Sequence, residues 1–525
     1  MPAQPSARPD VVIGCDFGSQ GLKVVLLSLD GQLLGEAGAA YDVDYPRPAW
    51  AEQPAQAWLD ALPQAIGQLR AATGFAPRQV RALGLAAQVD GVVAVDSAGQ
   101  PLRPAIIWMD RRAVAQCDDV AQVTGSAALI QRSGLNLDAT HVAPKIRWLA
   151  ENEPAVYAAA RYLLLPGSFV AYSLTGELAV DAANASSTLL LDVAQRAWSP
   201  ELCQLFAIPL ERLAPLRPAA EVLGGLRAGL AEALGLLAGT PVTVGTGDEH
   251  AACAGAGVVR AGLVCDIAGT AEPVCASSAQ PVFDPSGLVE THCHTDPALW
   301  LLENPGFVSG ANYRWFRDQF APLEVQAAAQ SAAQGGPSAY DLLNDLAAQA
   351  PAGAEGLVLL PCLMGAMTPT WNAAARGTFA GFTLAHRREH FARAVLEASA
   401  YAVRDIVDQM RQMGLPLEEI RAVGGGSRSR LWRQIKADVT GLPVTLPLTA
   451  ETTALGAALL ALVAIGAFAN LTEAASRVVC LVDAERVEPE PAARARYEDC
   501  YQLYRETYFA MLPVYERAAR RESAR

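Results

Sequence analysis

Only three of the 40 basic residues are lysines, Lys23, Lys145 and Lys436, and none of them follows a glycine. A Walker A phosphate loop needs a Gly-Lys-Ser/Thr step to set an ammonium against the β- and γ-phosphates, so that class of nucleotide enzyme is excluded. Positive charge is scarce overall: 40 Lys and Arg stand against 54 Asp and Glu, a formal net charge of −14. Such a balance gives no broad basic surface for nucleic acid or anionic lipid. No two of the ten cysteines form a C-x-x-C pair, and Cys15, Cys265 and Cys275 lie in apolar strand-like runs, where buried reduced thiols are expected. Long hydrophobic runs are missing as well. The longest, 454–469, contains two glycines and falls short of a bilayer span, so it reads as a buried helix. The opening MPAQPSARPD has no apolar stretch of the signal-peptide kind. A cytoplasmic protein that handles small molecules is expected, with neither nucleic acid nor membrane as partner.

What is present builds cores. The 525 residues are 52% apolar and 18% charged, enough for two or three domains at roughly 100–200 residues each. Two segments look alike. VVIGCDFGSQGLKVVLLSLDGQLLGEA reads as strand, tight turn, strand, Asp-Gly turn, strand. GLVCDIAGTAEPVCAS repeats the form, with Gly269-Thr270 standing where the first has Gly18-Ser19, roughly 250 residues earlier. The repeat divides the chain into halves of domain size, 1–251 and 252–525. Each half continues with alternating helix and strand signals. In the first, 58–72 has helical spacing, 80–87 and 91–95 read as short strands, and 153–160 and 168–174 as helices, with Pro166-Gly167 punctuating the chain. In the second, 388–413 is a long amphipathic helix, 420–423 a strand leading into Gly424-Gly425-Gly426, and 430–440 a helix stopped by Gly441; 326–337 reads as a helix end and loop. Both halves are mixed α/β.

Asp16-Phe17-Gly18 matches a protein-kinase metal tripeptide, but only 15 residues precede Asp16, too few for the loops that must come before it. In the hairpin itself, successive N–H groups of Gly18-Ser19-Gln20-Gly21 can converge on a phosphate. Asp16 beside them is suited to a hydrated Mg²⁺, which needs one or two carboxylates. The alternative is a plain hairpin with a turn-capping Asp. Three glycines at 424–426 let backbone approach a flat ligand, an adenosine site in preference to an ordinary strand-to-helix turn. In VTVGTGDEHAACAGAG, a strand at 242–244 and a Gly-Thr-Gly turn lead to Asp248 and an Ala/Gly helix that can pack tightly on neighbouring backbone. Asp248 is positioned to meet a substrate, or else to cap the helix. His292-Cys293-His294 has no third ligand near in sequence, so no metal site is expected there. Asp248, Glu249 and His250 are consecutive, and their side chains should diverge.

Taken together these segments resemble the FGGY carbohydrate kinases, and within them the pentulose-kinase branch. The resemblance rests on IGCDFGSQGLKVVLL, LGLAAQVDGVVAVDSAGQPLRPAIIWMDRRA, PKIRWLAEN, GDEHAACAGAG, SGANYRW, GTFAGFTLAHRREHFARAVLE and GGGSRSRLWRQIKADVTG. It implies two actin-like (ribonuclease H-like) ATPase domains flanking a deep cleft, with ATP and Mg²⁺ as cofactors and a homodimer as the expected assembly. It also implies phosphoryl transfer from Mg-ATP to a hydroxyl of a pentulose such as D-xylulose. Carried over by position, Asp248 is the catalytic base and Asp16 the residue next to the metal. Gly18, Ser19, Gln20, Gly269 and Thr270 line the phosphates. Gly310, Gly425 and Gly426 lie along the nucleoside, and Val89, Asp90, Trp108, Asp110 and Glu249 face the sugar. The branch carries Met-His where this chain has Val89-Asp90, and Asn where it has Glu249. Two extra carboxylates turn a pocket toward hydroxyl donors, which keeps ribulose, arabinitol, erythritol and glycerol as alternative substrates. An actin-fold ATPase or sugar sensor without kinase activity is the alternative from another class.

Overall fold

The structure is a computed structural model that describes residues 9–523. The chain forms two compact units. The first comprises 9–260 with Ser277–Leu301 and Glu451–Cys480; the second comprises Ala261–Ala276, Leu302–Ala450 and the residues from Leu481 onward.

In the first unit, β1 (Val11–Phe17) and β2 (Gly21–Ser28) are the strands of the first hairpin, continued by β3 (Leu33–Ala40). Residues 11–15 of β1 are all buried, the continuous apolar run of a strand covered on both faces. With β4 (Val80–Ala87) and β5 (Pro241–Thr243) the sheet runs β3-β2-β1-β4-β5, with β1 and β2 antiparallel and β1, β4 and β5 parallel. A two-residue strand β6 (Thr246–Gly247) lies beside the end of β4. Asp16 and Thr246 both pair with Ala86, so β1 and β6 end level on either side of β4. Ligands of parallel sheets collect at these carboxyl ends.

The second unit repeats the plan. Its strands are β7 (Leu263–Ile267), β8 (Ala271–Ser278), β9 (Trp300–Val308), β10 (Glu419–Val423) and β11 (Val444–Thr445), in the order β9-β8-β7-β10-β11. Again the hairpin is antiparallel and the next two pairings are parallel. The likeness of two short hairpins therefore extends to five strands of each sheet; the first sheet also carries the edge strand Val222–Gly225, antiparallel beside β5.

Helix α1 (Asp248–Gly255) belongs to the first unit, α2 (Arg388–Gln412) and α3 (Arg430–Thr440) to the second, and α4 (Thr452–Ala464) to the first again. α3 has both its expected ends, with Gly441 in the left-handed conformation at φ +70°. The helix expected at 58–72 spans Ala55–Thr73, and Pro166-Gly167 opens the helix Pro166–Thr175 instead of preceding it, since proline suits a first helical position. The helix Pro491–Ser523 has no counterpart among the sequence expectations. Its charged residues mask a stripe of Tyr497, Tyr501, Tyr504 and Tyr508, all buried, the first three packed on Tyr401 of α2.

α4 is the apolar run read as a buried helix, and it packs at backbone contact. A Cβ on Gly14 would lie 2.0 Å from the Ala454 carbonyl oxygen, and one on Gly84 1.8 Å from that of Ala457. On its other side a Cβ on Gly255 would lie 1.9 Å from the Thr452 oxygen, and one on Gly456 1.9 Å from that of Ala251. These glycines let α4 lie directly on β1, β4 and α1. For that reason 451–480 packs with the first unit, and the folded units differ from a single division between 251 and 252. Among the described residues no helix is long and apolar enough to cross a membrane.

Candidate functional site

At the level ends of β1 and β6 two carboxylates stand close. Asp248 is the first residue of α1, with Gly247 as the cap, and its carboxylate accepts the backbone N–H of Glu249 at 3.0 Å and that of Val89. Gly247 must lack a side chain, because a Cβ there would meet Val89 Cγ1 at 2.5 Å. Asp16 and Asp248 are both half-buried. Burial, with the neighbouring charge of Glu249, pushes Asp248 up to about 8. Burial also raises Asp16 well above the usual carboxylate range, and Asp248 adds to it. Lys23 opposes this, but it is itself paired with Glu451 at 2.6 Å. Two neighbouring acids, both held above the usual carboxylate range, form a site that wants a cation. Asp16 Oδ1 is buried and has no hydrogen-bond partner. One orphaned carboxylate oxygen fits a Mg²⁺ ion that keeps most of its waters.

The first turn is braced from three sides. Tyr41 donates its hydroxyl to the Gly18 carbonyl at 2.7 Å, Gln53 Nε2 donates to the Ser19 carbonyl at 2.7 Å, and Trp108 Nε1 donates to Ser19 Oγ at 2.7 Å. Gln53 is fully buried, and its oxygen accepts from Gln88 and Trp58. It is a functional support that the sequence reading missed, since a lone Gln before a helix carries no pattern. Gln20 at the turn's tip is exposed.

The expected sugar-facing residues divide. Val89 and Asp90 follow β4 after Gln88, Val89 is hydrogen-bonded to Asp248 through its N–H, and Asp90 sits at φ +55°, a left-handed backbone that an Asp tolerates better than most residues. Trp108 is 39% exposed, and Glu249 is half-buried beside Asp248. Asp110 is corrected: it has no exposed surface and cannot face a ligand. Its oxygens accept the N–H groups of Ala51 and Arg112 and the Arg112 guanidinium, at 2.7–3.0 Å. Arg112 also binds Glu52 and stacks 3.6 Å above the Trp50 ring. Asp110 thus fixes the turn that carries Trp108.

The second unit brings its own expected residues together. Gly310 donates its N–H to the Gly269 carbonyl at 3.1 Å, and Ser309 and Ala311 donate to that of Thr270. A Cβ on Gly310 would lie 2.2 Å from the Gly269 oxygen, so this glycine seats the turn. Gly426 donates to the Ala268 carbonyl at 2.9 Å, which joins the triple glycine to the same turn. The three glycines have separate reasons: Gly424 takes φ +81°, Gly426 is pressed against Ala268 and Trp432, and only Gly425 has open space where a Cβ would stand. On either side of the turn Asp266 and Glu272 are buried and pair with Lys436 of α3 at 2.5 and 2.6 Å.

The comparisons agree with this geometry. Residues 11–255 match the FGGY family of carbohydrate kinases, N-terminal domain, and residues 266–465 the C-terminal domain. The chain is 31% identical over 507 residues to the xylulose kinase of Escherichia coli (strain K12), covering 96% of this chain and 99% of that one. It is also 31% identical over 503 residues to the glycerol kinase of Thermococcus kodakarensis, covering 94% and 96%. The crystal structure of xylulose kinase from Rhodospirillum rubrum superposes with a TM-score of 0.85 at 29% identity, over 96% of this chain and 100% of that one. Both halves of the chain thus match one family over most of its length: the chain belongs to the FGGY family of carbohydrate kinases, phosphotransferases that act on an alcohol group.

Proposed function

We propose that this kinase transfers the γ-phosphoryl of ATP to a hydroxyl of a pentulose such as D-xylulose, with Asp248 as general base. Asp248 carries the reading: a half-buried acid at a strand end, fixed by two backbone N–H groups and raised to about 8. An ordinary Asp titrates near 4 and accepts an alcohol proton poorly, whereas a base poised near the working pH does so best. In a loose transition state the hydroxyl loses its proton late, so Asp248 first orients the hydroxyl and then takes the proton as the O–P bond forms. With no Walker lysine, phosphate binding falls to backbone N–H groups: those of Ser19 and Gln20 in the first turn and of Thr270 in the second are the candidates, since the Gly18 and Gly269 N–H groups donate within their own turns. Gly425 has the open space a nucleoside needs. Asp16 would hold Mg²⁺, which when bound neutralises charge on the phosphate oxygens.

Asp90 and Glu249 favour a second reading, a polyol or another ketose, because both are acceptors where the pentulose kinases carry other groups. A coupled ADP-release assay over D-xylulose, ribulose, arabinitol, erythritol and glycerol tests the two. D-xylulose leading supports the first; an alditol leading transfers the assignment to the second. Asp90→His and Glu249→Asn should each reorder these substrates without abolishing turnover. An unchanged ranking in both would remove those residues from the pocket.

The Glu249 charge also sets a pH dependence. It raises the proton affinity of Asp248, so Glu249→Gln lets Asp248 ionise at lower pH. The acid limb of the kcat/KM profile should move to lower pH in this variant, and a limb that stays or moves upward would contradict the coupling.

A further inference from the structure

Behind Asp90 a chain of buried side chains runs into the first unit. His141, just before the helix Val142–Asn152, is 4% exposed and lies between two carboxylates. Its Nδ1 is 3.3 Å from Asp90 Oδ1 and its Nε2 3.5 Å from Glu290 Oε1. Glu290 is as enclosed; it accepts the N–H of Asn136 at 3.2 Å and faces His292 Nε2 at 3.7 Å, and His292 Nδ1 is 3.3 Å from Ser186 Oγ. The Asp90 carbonyl is held by Lys145 Nζ at 2.6 Å.

With a carboxylate oxygen within 3.5 Å of each nitrogen, the His141 ring sits in the field of two anions, a setting that favours the imidazolium. Burial alone would disfavour that cation, but Asp90 and then Glu290 outweigh it and hold His141 well above its ordinary value. Glu290 answers in kind: burial would raise it, yet the imidazoles of His141 and His292, at 3.5 and 3.7 Å, hold it down to about 2. A cation fixed behind Asp90 engages one carboxylate oxygen and leaves the other an acceptor only. The neighbouring residue, Val89, donates its N–H to Asp248, so that acceptor stands next to the reacting group. An acceptor binds hydroxyl donors and repels carbonyl oxygens, and a site built for a hydroxyl strongly rejects an analogue that lacks it.

We propose that His141 is a positioning residue for substrate selection: it fixes the Asp90 carboxylate in place, so that the substrate presents a hydroxyl there and not a carbonyl. This rests on the reading of Asp90 as a pocket residue and sides with the second of the two substrate readings, an alditol ahead of D-xylulose; a wild-type protein that prefers D-xylulose to both alditols overturns it. The test uses pairs that differ only as carbonyl against hydroxyl, D-xylulose with xylitol and D-arabinitol. His141→Gln puts a neutral donor in place of the cation. KM for the preferred substrate should rise about tenfold with kcat changed less than about twofold, and discrimination within each pair should narrow by a similar factor.

Glu290→Gln removes one of the two carboxylates that sustain the imidazolium and touches no substrate. The charged and titratable groups around His141 are Asp90, Asp138 and Glu290, with His292 and Lys145 beyond. In the wild-type protein KM should be flat between about pH 6 and 8, whereas in Glu290→Gln it should climb toward pH 8 as His141 loses its proton. His292→Gln, which leaves both carboxylates of His141 in place, should stay flat. Wild-type KM and ranking in His141→Gln, or a flat profile in Glu290→Gln, would overturn the proposal. Should His141→Gln fail to fold, the Glu290→Gln profile decides alone. A wild-type protein that phosphorylates none of these substrates overturns the parent reading, and this one with it.

Discussion

Asp248→Asn lowers kcat by at least about 10²-fold, the lower end of what a positioned general base contributes, while ATP binding persists. Asn keeps the size of Asp and can still accept the two backbone N–H groups, so what is lost is the proton acceptor. The same substitution should stabilise the protein without ligands. Asp248 titrates near 8 in the folded chain against roughly 4 when unfolded. Between those values the folded state holds the extra proton, so stability falls as pH rises through the window, and the cost is complete above the folded value. Each tenfold change in acidity is worth about 1.4 kcal/mol. Thermal melts should therefore show Asp248→Asn at least about 2 °C above wild type near pH 9, with the difference fading toward pH 4. A variant that is both slow and less stable at high pH would point to damage to the fold, and one that keeps most of its rate would remove Asp248 from the chemistry.

Gly456→Ala destabilises the first unit by at least about 3 kcal/mol, and Gly84→Val prevents it from folding; overpacking alone costs about 1–3 kcal/mol, and clashes with backbone exceed that. A Cβ at residue 456 would lie 1.9 Å from the Ala251 carbonyl oxygen, and one at residue 84 1.8 Å from that of Ala457. Neither oxygen can step aside, because α4 is clamped by β1 and β4 on one face and α1 on the other. Damage here also displaces Glu451 and the start of α1, so activity should fall with stability. Gly67, inside the helix Ala55–Thr73 with nothing near its Cβ position, is the control: Gly67→Ala should stabilise by about 0.5–1 kcal/mol. Urea denaturation of the three variants checks this, and a Gly456→Ala midpoint equal to wild type would refute the tight packing of α4.

Local pattern carried much of this molecule into view. The strand Val80–Ala87 and the helix Arg430–Thr440 are legible to the residue, because a mostly apolar run and a glycine stop act within a few residues of chain. The two hairpins revealed the repeat, since a turn between apolar strands is also local. What escaped depends on partners distant in sequence. Nothing in 451–480 announces that its helix joins the first unit, because the signal is the absence of side chains at Gly14, Gly84 and Gly255. Asp110 carries the right residue type at the expected place, yet Arg112 and the Ala51 N–H enclose it. The partners of His292-Cys293-His294 are likewise distant in sequence: His292 faces Glu290 at 3.7 Å across from Ser186, and His294 Nε2 lies 3.0 Å from the Val258 carbonyl. In sequence the three glycines look like one device; in the fold only Gly425 is open, because Gly424 needs its positive φ and Gly426 is pressed on Ala268.

The central claim is phosphoryl transfer to a sugar hydroxyl with Asp248 as the proton acceptor. Its most direct test incubates wild type and Asp248→Asn with Mg-ATP, with and without D-xylulose, and follows ADP and sugar phosphate by mass spectrometry. The account predicts ADP and a monophosphorylated sugar in equal amounts from the wild type, negligible ADP without sugar, and at least about a 10²-fold loss of both products in the variant. Equal ADP release with and without any sugar or polyol, or a variant that forms the sugar phosphate at the wild-type rate, would contradict it.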